Sequence, residues 1–424
     1  MSDVFWAGDE RAGELFSAAG FVSALTAVEF GWLEALVTTG LAPRPALVTA
    51  ADRPGLTAPA DVETIARGAE SGGNPVIPLV ALLRQRLEAT HPVAGKWLHQ
   101  GLTSQDVLDT ALIRCAHDVL DRLATEFTGQ VRSLRQLSDT HRHTLMAGRT
   151  LTQFAVPITF GLKAAGWLQA VLDAAEAAET VRGGLRSQFG GAAGTLAATV
   201  ELAVRAGAAD PVRRAEDVVA EASRLVGLAA APPWATSRAP LTRIGAALVS
   251  GNDAWGRVAN DVITLSRPEI AELAEPSAPG RGSSSTMPQK RNPVLSVLIR
   301  RSALTAPMLG AQLHLAAADS GDERPAGAWH TEWATLRTLA RSTVVAAAQT
   351  TELLAGLQVD PERMLATLQA ASPGILAERL KAGPAGPEPG PGPDPRLDPR
   401  GYLGTSERTI DAALARADRF LEGA

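Results

Sequence analysis

The sequence is poor in cysteine, tyrosine and aromatic side chains generally: one Cys and one Tyr in 424 residues, with Phe, Trp and Tyr together at 4%. A single cysteine, Cys115, closes no disulfide within the chain, which excludes a disulfide-stapled scaffold. With few aromatics the core must be built from Ala, Leu and Val, and an Ala- and Leu-rich chain favours helix. An excess of positive charge is also missing. Forty Lys plus Arg face 45 Asp plus Glu, a net charge of -5, so a nucleic-acid backbone is not an expected partner. Apolar runs such as Val76 to Leu83 fall far short of the roughly 18 residues of a membrane span. The opening MSDVFWAGDE has neither the basic start nor the apolar core of a signal peptide. Together these absences predict a cytoplasmic protein that binds neither nucleic acid nor membrane.

What is present is helical periodicity. Leu108, Leu112, Cys115, Val119, Leu123, Phe127, Val131, Leu134 and Leu137 recur every three or four residues, one face of a helix. Thr103 followed by Asp106 marks its start as a variant capping box, and at ~1.5 Å per residue it spans on the order of 50 Å. Further helices are expected after Pro157, over Pro240–Leu265, over Val294–Ala317 and from Glu332 to Leu357. No run alternates convincingly as a strand, so the fold class is all-α, a long-helix bundle. At about 150 residues per domain, three regions are expected: 1–95, a central bundle 96–358, and a reduced C-terminal region 359–424.

Three segments interrupt the pattern. Gln188 to Thr195 (QFGGAAGT) reads as a tight loop or a close backbone approach. Segment 275–293 (EPSAPGRGSSSTMPQKRNP) is too rich in Gly, Ser and Pro for helix, and a loop of that length inside a domain is usually functional. Segment 383–395 (GPAGPEPGPGPDP) reads as a spacer. The 282–293 part of the second carries hydroxyls, two cations and Asn292. It reads either as a solvated linker or as a loop that closes over an anionic substrate, excludes water and supplies a base and charge stabilisation.

Ser284-Ser285-Thr286-Met287-Pro288-Gln289-Lys290-Arg291-Asn292-Pro293 resembles the signature loop of the fumarase/aspartase superfamily. Lys96 to Asp106 (KWLHQGLTSQD) resembles its first conserved region and Gly148 to Gln153 (GRTLTQ) its second, in the family's order. Within the superfamily, GRTLTQ, TFGLKAAGW, GGAAGTLAA, DERPAGAWHTEW and LDPRGYLG are most similar to the bacterial 3-carboxy-cis,cis-muconate cycloisomerases. The resemblance implies a homotetramer with a twenty-helix core, active sites assembled from three chains, a small di- or tricarboxylate substrate and no cofactor. It makes Ser284 the general base, with Ser283 or Ser285 the choice if the alignment to Met287 shifts. Lys290 and Asn292 then stabilise the carbanion-like intermediate, and Ser285 and Met287 sit beside the substrate. Thr103 and Ser104, which also serve as ordinary helix caps, would hold one carboxylate with the free amides of the first turn. Thr150 and Gln153, with Arg149 nearby, would hold another.

The departures from the family are chemically informative. Many superfamily members carry an acid-catalytic His after Gly-Arg-Thr; this chain has Leu151. General acid catalysis contributes about 10²- to 10⁴-fold where a poor leaving group must be protonated. A carboxylate, with a reference pKa of about 4, leaves unprotonated. Leu151 therefore favours lactone opening or closure, and the expected activity is a cofactor-free interconversion of 3-carboxy-cis,cis-muconate and 4-carboxymuconolactone. Phe154, Ala235 and Gln289 stand where cycloisomerases usually show His. They point to two alternatives: a β-elimination lyase that releases fumarate and a stable anion, such as a nitrosuccinate lyase, or a helical scaffold without activity. His141 and His143, two apart on a helix, point about 200° away from each other, which is poor geometry for a shared metal ion. His99 and His330 read equally as site or structural residues.

Overall fold

In the computed structural model, which describes residues 3–283, 286–287, 289–381 and 394–423, the face counted along the first long helix is the buried one. That helix is Ser104–Thr140, and from Leu108 to Leu134 its apolar positions are almost wholly excluded from solvent, with Leu137 half-buried. Its cap follows the expected spacing: the Thr103 N–H donates to Asp106 Oδ2 at 3.1 Å, one arm of a capping box. The other long helices are Phe160–Gly183, Ala239–Leu265, Val294–Ala318 and Ala328–Ala355, within a few residues of the spans expected from periodicity. The described residues hold fourteen α-helices and four short strands, an all-α fold.

Contacts divide the chain into two compact units, and each of the five long helices contributes a segment to both. The first unit comprises 1–122, 179–248 and 307–342. Its packing centres on Ala18–Thr38, where Leu25, Val28, Trp32, Leu33 and Leu36 are buried, and Trp32 stacks obliquely on Phe189 at 5.1 Å between ring centres. Ser17 caps this helix, accepting from the Gly20 N–H at 2.9 Å. The second unit comprises 123–178, 249–306 and 343–424. Phe127 and Trp255 pack within it, and the terminal helix Ser406–Glu422 is tied on by Arg135–Asp418, Arg142–Glu407 and Arg416–Glu176 pairs.

One element departs from the sequence expectation. Leu145–Thr150 and Gln153–Thr159 form an antiparallel hairpin, paired from Leu145↔Thr159 to Thr150↔Gln153, with a bulge at Gly148. A Cβ at Gly148 would sit 2.7 Å from the Val156 carbonyl oxygen, so the bulge requires glycine. Leu368, Ile375 and Leu376 cover Leu145 and Ala147 on one face of the hairpin's base, and Met146, which points to the other face, is buried too, so the three consecutive residues show no alternation. Its turn, Leu151-Thr152, lacks the Asn or Gly that announces a two-residue hairpin loop.

Among the described residues two helices are long and apolar enough, by composition alone, to cross a membrane: Ala18–Thr38 and Val294–Ala318, with mean hydropathies of 1.4 and 1.2 over 18 residues. A search for unbroken apolar runs passes over both, because polar residues are spaced through them. In the first helix 61% of that window is buried, the pattern of a core helix.

Candidate active site

The first motif lies in the first unit. Thr103 and Ser104, both half-buried, stand at the head of the 37-residue helix, where the positive end of the helix dipole favours an anion. Arg324, from the loop after Val294–Ala318, donates from Nη2 to the Thr103 hydroxyl. The structure therefore adds a guanidinium to the two hydroxyls. Arg324 lies 221 residues from Thr103, in the DERPAGAWHTEW stretch that carries part of the family resemblance, but its pairing with Thr103 is not legible there. The approach to Thr103 is held in unusual backbone: His99 has φ 66° and Gly101 φ 84°. His99 Nδ1 pairs with Oε1 of the fully buried Glu29 at 2.7 Å, and Trp32 Nε1 donates to the Gln100 carbonyl at 2.8 Å.

Beneath Thr103 the helix carries two buried carboxylates. Asp106 accepts from the N–H groups of Gly190 and Gly191 at 2.8 and 2.9 Å, and from Gln188 Nε2 at 3.2 Å. Asp109 and Glu332 share Arg238, all three excluded from solvent, with N···O distances from 2.6 to 3.1 Å. Burial pushes the Arg238 guanidinium toward losing its proton, but the two carboxylates outweigh that and hold it charged; burial also raises the Glu332 carboxyl above its ordinary range. Ala235, where histidine was the family expectation, gives its carbonyl to Gln105 Nε2 at 2.7 Å and Arg238 Nη1 at 3.0 Å.

The second and third motifs lie in the second unit. Thr150 and Gln153 are exposed on either side of the hairpin turn, and Leu151 at its tip is 96% exposed. Both turn residues, Leu151 and Thr152, occupy the left-handed region at φ 48° and 73°. Such backbone is costly for a side chain with a Cβ and concentrates at functional positions. Arg149, expected near a substrate carboxylate or else as a structural residue, forms a two-point pair with the fully buried Glu272, at 2.8 and 3.1 Å, and lies over Phe154 at 5.4 Å. Since Glu272 leads into segment 275–293, this pair ties the hairpin tip to the root of that loop.

The loop's two ends are stapled by Glu275, whose carboxylate accepts from the Leu295 and Ser296 N–H groups at 3.0 and 2.6 Å and so caps the helix that follows. Within the loop, Asn292 N and Nδ2 donate to the Gly282 carbonyl at 2.9 and 3.1 Å, and Ser283 pairs with Arg291. Met287, Gln289 and Lys290 are exposed. Ser284 and Ser285 lie outside the described residues, as does the 383–395 spacer apart from residues 394 and 395. The structure thus joins Thr103 to Arg324, and Arg149 to Glu272, neither pairing being visible in the sequence.

His141, His143 and His330 take structural partners. His141, its imidazole kept less basic by burial, contacts the Thr144 hydroxyl at 3.1 Å and the edge of Phe160. His143 pairs with Glu407 at 3.2 Å, and His330 packs on Trp329 and Trp333. Among the described residues one group has metal-ligating proximity, His117, Asp118 and Asp121, but both carboxylates are already paired, with Arg114 and Arg182.

Long helices that carry three polar motifs, with hydroxyls, helix-start amides and cations at hand, define a helical-bundle enzyme suited to small carboxylates. A lyase family model matches residues 58–306, more than half of the chain. The chain belongs to the fumarase/aspartase superfamily, whose members act on small carboxylates and are typically oligomeric. It is 40% identical over 369 residues to a nitrosuccinate lyase of Streptomyces davaonensis, covering 86% of this chain and 76% of that protein. It is 37% identical over 323 residues to a 3-carboxy-cis,cis-muconate cycloisomerase of Bradyrhizobium diazoefficiens, covering 76% and 68%. Among solved structures, the 3-carboxy-cis,cis-muconate lactonizing enzyme of Pseudomonas putida superposes with a TM-score of 0.82 at 28% identity, over 96% of this chain and 97% of that one.

Proposed function

We propose that the chain is a cofactor-free 3-carboxy-cis,cis-muconate cycloisomerase that works in the cytoplasm as a homotetramer with active sites shared between subunits. The observation that carries this reading is the hairpin tip. The residue presented there, Leu151, has no proton to give, and a reaction whose leaving group is a carboxylate needs none. In the lactonising direction one substrate carboxylate attacks the double bond while Ser284 returns a proton to the neighbouring carbon; in reverse Ser284 removes it and the ring carboxylate departs. Lys290 and Asn292 hold the doubly charged carboxylate formed next to the carbanion, with Ser285 and Met287 beside the substrate. Thr103 and Ser104, joined by Arg324, bind a second carboxylate, and Thr150 and Gln153 bind the third. Arg149, through Glu272, positions the hairpin that presents them.

Self-association is supported by Val294–Ala318: Val297, Leu304, Met308 and Leu315 lie along one face and are exposed, and only 33% of the helix's most apolar window is buried. Mixing the purified protein with 3-carboxy-cis,cis-muconate and following loss of the diene absorbance tests the assignment, with Ser284→Ala as control. Rapid loss abolished by the substitution is the expected result; a wild-type protein that leaves the diene intact overturns it.

A second reading, elimination of nitrite from nitrosuccinate to give fumarate, is favoured by the 40% identity to a nitrosuccinate lyase over 86% of the chain. It also uses a leaving group that departs as an anion. Fumarate formed from nitrosuccinate, with no turnover of carboxymuconate, selects it.

A further inference from the structure

We propose that Asp106 is a positioning residue that locks the Gly190–Gly191 backbone against the start of the Ser104–Thr140 helix and so keeps Thr103 in its substrate-binding place. Asp106 is wholly buried, yet among the described residues no cation pairs with its carboxylate; its four partners there are N–H donors, from Thr103, Gly190, Gly191 and the Gln188 amide, at 2.8 to 3.2 Å. Those four bonds offset the cost of burying the charge, and an apolar residue in its place would leave the buried N–H groups without their acceptor. What the carboxylate supplies is geometry: it only accepts, and it accepts from two separate loops at once.

The loop it holds has no freedom to be other than glycine. A Cβ at Gly190 would meet Pro233 Cβ at 2.8 Å, and Gly191 has φ 69°. Gln188 extends the clamp to a third segment, because its Oε1 accepts from the Trp234 N–H at 2.6 Å, while Thr110 Oγ1 accepts from the Gln188 N–H at 3.0 Å. The charged groups packed around this frame are Asp109, Glu332 and their shared Arg238, with Arg324 and the His99–Glu29 pair in the flanking loops; none is a hydrogen-bond partner of Asp106.

The clamp is also pH-sensitive. Burial pushes the Asp106 carboxyl up to about 6, against the opposing pull of the four N–H groups. A proton taken up near that pH turns an acceptor into a donor facing donors, and at least one bond of the clamp is lost. Because the folded-state pKa lies above the ordinary value, proton uptake favours the folded over the unfolded chain, so the loop loosens without a fall in global stability through this group.

Hydrogen–deuterium exchange of the full-length protein between pH 5 and 8, corrected for intrinsic rates and read on peptides spanning 188–194, tests this. Protection is expected to fall about fivefold per bond lost as pH drops through 6, with Tm not lowered by the same step, and Asp106→Asn, whose amide mimics the protonated acid, is expected to hold the segment at the low-pH level of protection at every pH. Constant wild-type protection across the range, or wild-type protection in Asp106→Asn at pH 8, overturns the proposal. Should Asp106→Asn fail to fold, the wild-type series still decides, and Gln188→Met, which removes one stabilising donor, must move the transition to higher pH.

The link to substrate binding rests on the cycloisomerase reading and is measured separately. KM for 3-carboxy-cis,cis-muconate should rise below pH 6 more than kcat falls. Absence of turnover counts against that reading, while the exchange data still judge the clamp.

Discussion

Replacing Arg238 with Met tests whether the buried charges beneath Thr103 are a structural frame. The guanidinium, fully excluded from solvent, gives two hydrogen bonds to Asp109 and three to Glu332, and lies 5.1 Å from the centre of the Trp234 ring. Methionine fills much of the volume but leaves two carboxylates with no cation in a dry interior. Asp109 retains the Trp329 indole N–H at 2.9 Å and the Gln105 amide at 3.2 Å; Glu332 loses the donor that offset its burial. Removing one partner of a buried ion pair costs about 3–5 kcal/mol. With a urea m-value of about 3 kcal/mol/M, the unfolding midpoint should fall by about 1 M or more at pH 7.5.

The loss should also depend on pH, with a definite sign. Burial already raises the Glu332 carboxyl, and without Arg238 nothing pulls it back, so the folded variant binds a proton that the unfolded chain does not. Stability of Arg238→Met therefore rises relative to wild type as pH falls from 7.5 toward 5. Urea titrations followed by Trp fluorescence, at fixed protein concentration because assembly contributes to the midpoint, measure both effects. A variant within about 1 kcal/mol of wild type at pH 7.5, with a difference that does not shrink in acid, refutes the reasoning, because surface pairs behave that way.

The hairpin turn offers a stabilising change. Leu151→Asn with Thr152→Gly relieves two side chains held at positive φ, and since Leu151 is almost fully exposed no packing is lost; a gain of about 1–2 kcal/mol, read as a higher Tm, is expected, and an unchanged or lower Tm contradicts the strain argument. Cys115 should be nearly inert in the folded protein: burial pushes its thiol up to about 12, leaving roughly a thousandfold less thiolate at pH 8 than an ordinary thiol. Alkylation by iodoacetamide at pH 8 should appear only in denaturant, and fast stoichiometric labelling of the native protein would contradict the burial.

The helices were legible in the sequence because their determinants are local. Leu108 to Leu134 share a face by a 3.6-residue period that survives any packing partner, and the Thr103–Asp106 cap depends on three residues of separation. The three motifs, and with them the superfamily, were equally visible as strings. Hidden from it were pairings set by distant chain segments: Arg324 on Thr103 across 221 residues, Arg149 on Glu272 across 123, and Arg238 between Asp109 and Glu332 across 129 and 94. Composition told of Arg and Glu in number but not which would meet.

The hairpin was missed for a related reason. Its alternation is erased where Leu145, Met146 and Ala147 are buried on both faces of the strand, and its turn is made by Leu and Thr against their own preference. Sequence alone determined where the five long helices run and which segments interrupt them, because helical hydrogen bonds and side-chain faces repeat within a few residues. The tertiary structure alone decided which charges are buried, which backbone is strained and which acceptor each N–H finds, because those depend on what packs against them.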